Sequence, residues 1–372
     1  MKQLPLNNIH KSLGANLQDI SGCTVPADYG DKLSEYKAVR EDVGIIDLSS
    51  RGKLKLSGKD HLKFLQGMLS NDVVKLEEGR GIHATILTVK GRMVSDMKVY
   101  KDKESVLLDL EPGLNQKVSE LLTKFRLSYK ADIEDITETL GLLSIQGPNS
   151  KKLLDNLLDE EISEMPEYGL IKKDFRGSEL TIINVNRTGE EGFDLYIENE
   201  VLPELWEELS KIGQELDIRP LGYDALNILR IEAGLPIYNI DMDETNIPIE
   251  AGLWNALDFE KGCYIGQEVV ARIKWRGHVN WHLMGFECEG ALVPNVGDEI
   301  FDGERKIGRI TSSTFSPEFN KPLCLGYIRR EFNDSGTKVS VKLSDSSEVQ
   351  AEVAELPFYK GSFKHYENSA NS

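Results

Sequence analysis

The run KGCYIGQE at residues 261–268 places a reactive side chain in an unusual setting. Glycines on both sides of Cys263 would let the backbone approach a ligand closely. Lys261 and the cationic side chains that follow would favour the thiolate form of this cysteine. The alternative is a buried structural cysteine in a glycine turn, before a helix that begins near Gln267. The run therefore predicts either a functional thiol or an inert one.

A carboxylate on a predicted hairpin is the second candidate. Residues 84–100 alternate as two strands joined at Lys90-Gly91, since glycine tolerates the positive φ of a tight turn. On the second strand the period of two places Asp96 and Tyr100 on one face. Asp96 could act there as a general base or stabilise a developing cation. Otherwise it lies on the solvent side of a half-exposed strand.

An acidic turn near residue 190 could recognise a flat heterocycle. Glu190, Glu191 and Asp194 follow a strand-like run at 180–187. One carboxylate can accept two hydrogen bonds from an amidine-like edge, which gives such a turn a binding role. Acidic turns are also ordinary solvent-exposed features, so the pattern leaves both interpretations open.

The composition excludes several function classes. The chain has 372 residues, and 44 Lys and Arg against 62 Asp and Glu give a net charge of −18. This balance argues against non-specific binding to nucleic acid or to an anionic membrane. The four cysteines form no C-x-x-C pair, the six histidines lack metal-ligand spacing, and nucleotide-binding and hydrolase motifs are absent. No run resembles a membrane span or a signal peptide, so we expect a cytoplasmic protein.

A basic cluster stands out against this acidic background. Arg272, Lys274 and Arg276 alternate with apolar residues directly after the cysteine run. They could contact an anionic ligand, a nucleic-acid backbone or only water. The sequence does not choose among these three.

The elements that must position these residues are of mixed type. Apolar residues at helical spacing predict helices near 57–69, 114–125, 149–158 and 201–216, between strand-like runs. From about Leu283 the pattern changes to short strands separated by turns, which predicts a C-terminal barrel or sandwich of roughly 80 residues. The boundary is expected near residues 276–281.

Eight segments carry a likeness to a known superfamily. In chain order they read AVREDVGIIDLSSRGKLKLSG, LSNDVVKLEEG, GRMVSDMKVY, SIQGPNS, RTGEEGFDLY, LRIEAGLPIYNIDMDETNIPIEAGL, KGCYIGQE and GRITSSTFSP. Over about residues 13–364 the chain resembles the superfamily of the glycine-cleavage T-proteins (aminomethyltransferases) and the YgfZ-type folate-binding proteins. This resemblance implies an α+β fold, with three domains in a cloverleaf around a central folate channel.

The resemblance also implies a division of the chain. The folate-binding region would span 1–280, followed by a C-terminal β-barrel domain at 281–364 and a tail at 365–372. Two lobes would form the folate-binding region: 1–50 with 140–245, and 51–139 with 246–280.

The family's motifs imply site residues in this chain. Asp96 matches the aspartate near the reactive folate nitrogens, and Asp194 matches the acidic residue that holds the pterin edge, with Glu191 beside it. Leu226 stands where T-proteins carry a ligand-binding arginine, so another arginine would have to replace it. The expected catalytic residues are Asp96 and Cys263, and the expected ligand contacts are Asp194, Glu191, Arg187, Arg230, Tyr100 and Lys261.

Three functions remain open, and the first is the main prediction. KGCYIGQE, Ser95 and Leu226 favour a YgfZ-type protein that binds tetrahydrofolate or a one-carbon derivative. It would assist iron–sulfur cluster assembly or repair and linked tRNA modification, with iron–sulfur assembly proteins as partners. Asp96 and the run NIDMDETNIPIEAGL favour a tetrahydrofolate-dependent aminomethyl or methyl transferase, with a lipoyl carrier protein as partner. A folate-binding scaffold without turnover is the third. No membrane or strong nucleic-acid partner is expected.

Overall fold

The chain forms a six-stranded sheet, a five-stranded sheet, a three-stranded sheet and a closed barrel in the computed structural model, which describes residues 2–363. The predicted tail at 365–372 and the last predicted barrel residue, 364, lie outside the described residues. The helices are α1 (Asn7–Ser12), α2 (Lys32–Glu41), α3 (His61–Met68), α4 (Asn115–Arg126), α5 (Ser150–Leu158), α6 (Leu202–Ile212), α7 (Tyr223–Glu232) and α8 (Gln267–Arg276). Single 3₁₀ turns lie at Gly213–Leu216, Trp254–Ala256 and Arg330–Phe332.

Consecutive strands build three of the four sheets, whereas the six-stranded sheet combines one early strand with five later ones. They are β1 (Lys2–Gln3), β2 (Asn16–Ile20), β3 (Cys23–Asp28), β4 (Gly44–Asp47), β5 (Gly52–Ser57), β6 (Arg80–Leu87), β7 (Met93–Lys101), β8 (Ser105–Leu110), β9 (Asp132–Asp135), β10 (Leu140–Gln146), β11 (Leu170–Phe175), β12 (Ser178–Asn184), β13 (Gly192–Glu198), β14 (Arg219–Pro220), β15 (Trp281–Cys288), β16 (Glu299–Asp302), β17 (Arg305–Ser316), β18 (Lys321–Arg329), β19 (Lys338–Lys342) and β20 (Glu348–Ala354).

One of the four strand orders, that of the six-stranded sheet, joins distant parts of the chain. The six-stranded sheet runs β11-β12-β13-β10-β4-β14, and the five-stranded sheet runs β6-β7-β8-β5-β9. The order β1-β3-β2 makes the small sheet, and β15-β18-β17-β16-β19-β20 close the barrel. The α+β class and the C-terminal barrel predicted from the sequence are therefore confirmed. Among residues 2–363 no helix is both long and apolar enough to span a membrane.

Strand side chains alternate, so each large sheet packs one face in a core with helices, while the opposite face mixes apolar residues such as Ile46, Leu142 and Ile183 with polar ones. In the five-stranded sheet, Met97 and Val99 of β7 join the core that includes Val118 and Leu122 of α4. In the six-stranded sheet, Phe193, Leu195 and Ile197 of β13 join the core formed with α5 and α6. The intervening residues of β7 and β13 lie on the opposite faces. Those faces carry the polar side chains considered next.

A buried network attaches the barrel to the rest of the protein. Arg230 of α7 donates to Asp241 at 2.8 Å and to Ser312 of β17 at 2.7 Å. Asp241 also accepts a hydrogen bond from Thr311 at 2.7 Å. Because these groups are buried, the network fixes the barrel's position on α7.

Candidate active site

The faces of the two large sheets that carry these polar side chains meet around an arginine bridge. Arg187, in the loop between β12 and β13, donates to Asp194 of β13 and to Asp109 of β8 at 3.2 Å. The rings of Tyr100 on β7 and Tyr196 on β13 lie 6.4 Å apart at their centroids. One side of the site thus comes from residues 80–110 and the other from residues 184–196.

Asp96 is held by a histidine on the neighbouring strand. Thr85 is the direct partner of Asp96 in the β6–β7 register, so His83 lies diagonally across on the same face. The His83 Nε2 and Asp96 Oδ2 atoms are 2.8 Å apart, and both side chains are buried. Asp96 Oδ1 is buried without a hydrogen-bond partner among the described residues. One oxygen of the carboxylate is therefore fixed, and the other is available to a ligand.

The charge states of this pair follow from its surroundings. Burial, reinforced by Lys98, lowers the pKa of His83, so the imidazole is neutral near pH 7. Burial would raise the pKa of Asp96, but the interaction with His83 together with the positive charges of Lys98 and Arg51 outweighs it and holds the pKa below its usual range. Since an ionised carboxylate only accepts hydrogen bonds, His83 carries its proton on Nε2. The pair is thus a neutral donor and a charged acceptor.

A chain of alternating charges lies beside this pair. Arg51 donates to Asp109 at 2.7 Å and to Glu111 at 2.6 Å. Burial would raise the pKa of Asp109, but Arg51 and Arg187 outweigh it and hold the pKa below its ordinary value. Burial would lower the pKa of Arg187, but Asp194 outweighs it and raises that pKa. Negative and positive side chains therefore alternate through these contacts, and each balances the charge of its neighbour, in the order Glu111, Arg51, Asp109, Arg187, Asp194.

Several buried polar atoms near the bridge have no partner within the described part of the chain. They are the hydroxyls of Tyr100 and Tyr196 and Oδ1 of Asn184. Burial raises the pKa of both tyrosines well above its ordinary value, so the hydroxyls stay protonated and can donate as well as accept. Unsatisfied buried polar groups are costly, and a bound polar ligand is one reason for keeping them.

These orphaned atoms give a test of whether a folate fits. A pterin ring offers both donors and acceptors on a flat edge. Asp96 Oδ1 supplies an acceptor, and the two tyrosine hydroxyls supply either role, so the chemistry of the groups matches such a ligand. A central channel remains a prediction. Surface pockets of about 670 Å³ beside α5 and α6 and about 310 Å³ beside β1 include none of these residues.

The structure separates the predicted site residues into two groups. It brings Asp96, Tyr100 and Asp194 onto the two facing sheets, with Arg187 in the adjoining loop between β12 and β13. Arg230 lies instead in the barrel network described above. Lys261 donates its ammonium protons to the carbonyl oxygens of Leu69 and Asn71, at 2.6 and 2.8 Å.

The acidic turn and the cysteine run are also placed clearly. Glu191 lies just before β13, where its backbone N–H donates to Ser362 at 3.0 Å and its carbonyl accepts from Gly147 at 2.8 Å. Cys263 is exposed, before the start of α8. The basic cluster of Arg272, Lys274 and Arg276 is exposed on α8 itself.

Sequence reasoning missed His83, Asp109 and Tyr196. His83 is one of six histidines without metal spacing, and its partner lies on another strand. Alternation alone places Tyr196 on the face of Asp194, a signal that was available in FDLYI. Asp109 is the next-to-last residue of the run SVLLDL, where a carboxylate in an apolar strand is itself an indication of a buried partner.

Comparison with known proteins matches the chain to one family over nearly its whole length. Residues 6–261 match the GCVT N-terminal domain, and residues 282–360 match the glycine cleavage T-protein C-terminal barrel domain. Relatives named aminomethyltransferase include one from Caldanaerobacter subterraneus, 31% identical over 98% of this chain and 97% of its own. Another, from Chloroherpeton thalassium, is 33% identical over 96% of this chain and 99% of its own.

A solved structure shows the same fold. The glycine cleavage system aminomethyltransferase T from Bartonella henselae superimposes with a TM-score of 0.90 at 24% identity, covering 97% of this chain and 99% of that one. The superfamily resemblance is thereby confirmed, and so, at the level of the family, is its use of tetrahydrofolate. The YgfZ-type assignment drawn from KGCYIGQE gains no support from these matches. The chain belongs to the glycine-cleavage T-protein (aminomethyltransferase) family.

Proposed function

We propose that this protein is a tetrahydrofolate-dependent aminomethyltransferase, which moves an aminomethyl group from the sulfur of a lipoyl carrier protein to tetrahydrofolate. One observation carries the proposal. Asp96 presents a buried, unpartnered carboxylate oxygen on the face where two sheets meet. Membership of the aminomethyltransferase family supplies the ligand and the reaction class.

The overall transfer must balance protons as well as bonds. Tetrahydrofolate, when bound, supplies the two secondary amine nitrogens that take up the carbon. The transfer breaks two N–H bonds, one C–S bond and one C–N bond and forms two C–N bonds. The two protons end on the carrier's thiol and on ammonia. A group near the amine nitrogens therefore has to accept a proton and pass it on.

Asp96 is suited to this task. Its Oδ1 can accept a proton or stabilise a developing cation, while Oδ2 stays bound to His83. Burial excludes water, which strengthens the electrostatic effect of a single carboxylate. The hydroxyls of Tyr100 and Tyr196 are placed to orient the ligand by hydrogen bonds.

Asp194 can hold a pterin edge only after a change in its present contacts. Arg187 Nε lies 2.9 Å from Asp194 Oδ1 and 3.1 Å from Oδ2. A bound pterin would therefore compete with Arg187 for at least one of these oxygens. Arg187 and Asp194 thus enter the proposed site as a pair, whereas Arg230 and Lys261 are occupied elsewhere.

The test is the transfer reaction with purified protein. Reduced folate and an aminomethylated lipoyl carrier are supplied, and release of ammonia and formation of methylene-tetrahydrofolate are followed. Asp96→Asn should lower kcat by about 10²–10⁴-fold, the usual contribution of a positioned general base. Calorimetry with reduced folate should show that Asp96→Asn still binds. Asp132→Asn, an exposed change on β9 of the same sheet, is the matched control and should keep wild-type kcat.

Two results would contradict this function. One is the absence of ammonia release by the wild-type protein with a carrier that a known aminomethyltransferase accepts. The other is full activity of Asp96→Asn.

A YgfZ-type role in iron–sulfur cluster assembly is the second candidate. Exposure of Cys263 favours it, because a thiol that passes a cluster to a partner has to be accessible. The relatives named aminomethyltransferase favour the first function instead.

A further inference from the structure

We propose that His83 positions Asp96 for the transfer and sets the acid limb of its pH dependence. This inference rests on the proposed function, because it assigns a role within the same site. His83 itself does not meet the reacting atoms. It acts through the carboxylate oxygen that it holds.

His83 is held by one hydrogen bond of its ring and by one of its backbone. The Nε2–Oδ2 distance of 2.8 Å joins β6 to β7. The backbone carbonyl of His83 accepts a hydrogen bond from Asn71 Nδ2 at 2.9 Å, and the same nitrogen donates to Asn255 at 3.0 Å. Because the His83 side chain is only 8% exposed, the ring has little freedom to leave this position. The carboxylate is therefore held with Oδ1, and not Oδ2, as its open acceptor.

The charged groups around the pair come from several elements. Lys98, directly opposite His83 on β7, disfavours the imidazolium. Asp96 itself and Glu167, in the loop before β11, favour it. The positive charge of Arg51, just before β5, helps to lower the pKa of Asp96. Burial and Lys98 together outweigh the two carboxylates, which leaves the imidazole neutral above its lowered pKa.

The charge of His83 controls the basicity of Asp96. A neutral imidazole donates one hydrogen bond and leaves the negative charge of the carboxylate uncompensated, so Oδ1 can accept a proton from a substrate amine. An imidazolium would neutralise that charge at 2.8 Å and weaken Oδ1 as a base. Lowering the pH through the titration of His83 should therefore slow the transfer.

The test compares two variants of His83. One keeps a hydrogen-bond donor that does not titrate, and the other has no donor. His83→Gln retains an N–H donor, so kcat at pH 8 should stay within about threefold of wild type, and the acid limb should move to lower pH. His83→Phe removes the donor, so kcat should fall at least about tenfold at pH 8 while reduced folate still binds. His278→Gln, an exposed histidine, is the control and should keep the wild-type profile. The inference is overturned if folded His83→Gln keeps the wild-type acid limb, or if His83→Phe keeps wild-type kcat.

A second measurement does not depend on activity. NMR titration of the histidine rings in the full-length protein should give His83 a pKa below the ordinary histidine value of 6.5. Asp96→Asn should lower the pKa of His83 further, because the carboxylate that favours the imidazolium is gone. An unchanged His83 titration in Asp96→Asn would overturn the inference. Absence of transfer by the wild-type protein, with this shift present, would overturn the proposed function and the acid limb assigned to it, and would leave only the positioning of Asp96 by His83.

Discussion

Two buried carboxylates on the facing sheets differ in what holds them. Asp194 is bound through both oxygens by the guanidinium of Arg187, so its charge is balanced. Asp96 is bound through one oxygen by a neutral histidine, so no guanidinium or ammonium group among residues 2–363 contacts it and its second oxygen has no partner there. Both side chains are buried, Asp194 completely and Asp96 with 8% of its surface exposed.

The difference separates a structural pair from a reactive group. A buried charge without a counter-charge costs free energy, and proteins keep one mainly where chemistry needs it. The ion pairs of Arg187 with Asp194 and Asp109 link the six-stranded sheet to the five-stranded sheet. Asp96 contributes no such link and retains a free acceptor. The two carboxylates should therefore respond differently to loss of their partners.

Removal of Arg187 should give the largest change in stability. Arg187→Met leaves Asp194 buried without a counter-charge and removes one of the two arginines that contact Asp109. We expect the free energy of unfolding to fall by about 3–5 kcal/mol, measured by urea denaturation. The double variant Arg187→Met/Asp194→Asn should recover part of this loss. An equal loss in single and double variants would show that the Arg187–Asp194 pair does not carry the stability.

Removal of His83 should cost less. His83→Phe breaks one hydrogen bond to a charged acceptor, and we expect a loss of about 1.5–3 kcal/mol by the same measurement. His83→Gln should lose less than His83→Phe because it can still donate. A loss in His83→Phe larger than that in Arg187→Met would reverse the comparison and make the Asp96 pair the structural one.

The alternation of side chains along a strand predicted which of them share a face, but not which residues of other elements they contact. Asp96 and Tyr100 lie together on β7 because alternation is local to one strand. The partners of Asp96 and Asp109 depend on strand register and on the packing of two sheets. Arg187 and Asp109 are 78 residues apart, and no local pattern relates them. His83 was missed for the same reason.

Two residues that the sequence assigned to the ligand have long-range partners instead. Lys261 was predicted beside the folate but contacts carbonyl groups about 190 residues away in the chain. Arg230 was also predicted to contact the folate, but it lies on α7 and donates a hydrogen bond to Ser312 of the barrel. The motif KGCYIGQE favoured a YgfZ-type protein, whereas the matches over the whole chain favour the aminomethyltransferases.

Two buried cations, Arg187 and Lys261, also differ in what holds them. Arg187 meets carboxylates, whereas Lys261 meets the neutral carbonyl oxygens of Leu69 and Asn71. Burial lowers the pKa of Lys261 to about 8, although the negative charges of the more distant Asp72 and Asp258 act to raise it. Between pH 8 and the ordinary lysine pKa of 10.5, the unfolded chain binds more protons than the folded one. The contribution of Lys261 to stability should therefore rise with pH in that window.

Lys261→Met isolates this effect. The free energy of unfolding of wild type minus that of the variant should increase between pH 7.5 and 9.5 by about 1 kcal/mol, after allowance for solvent screening. Lys53 also has a pKa lowered to about 8, but it is present in both proteins and cancels in the difference. A difference that stays constant or falls with pH would mean that Lys261 keeps a full charge in the folded protein.

Substitution of Cys263 should have the smallest effect, and it separates the two candidate functions. The thiol is exposed and lies outside the sheets that carry Asp96 and Asp194, so Cys263→Ser should leave kcat for aminomethyl transfer and the free energy of unfolding unchanged within about 0.5 kcal/mol. Cys23→Ser, a change at another free and partly exposed cysteine, is the control. If Cys263→Ser lowers the activity of iron–sulfur enzymes in cells while transfer stays intact, the thiol has a role of its own. If it abolishes transfer, the site includes the cysteine run after all, and Asp96 cannot be the sole reactive group.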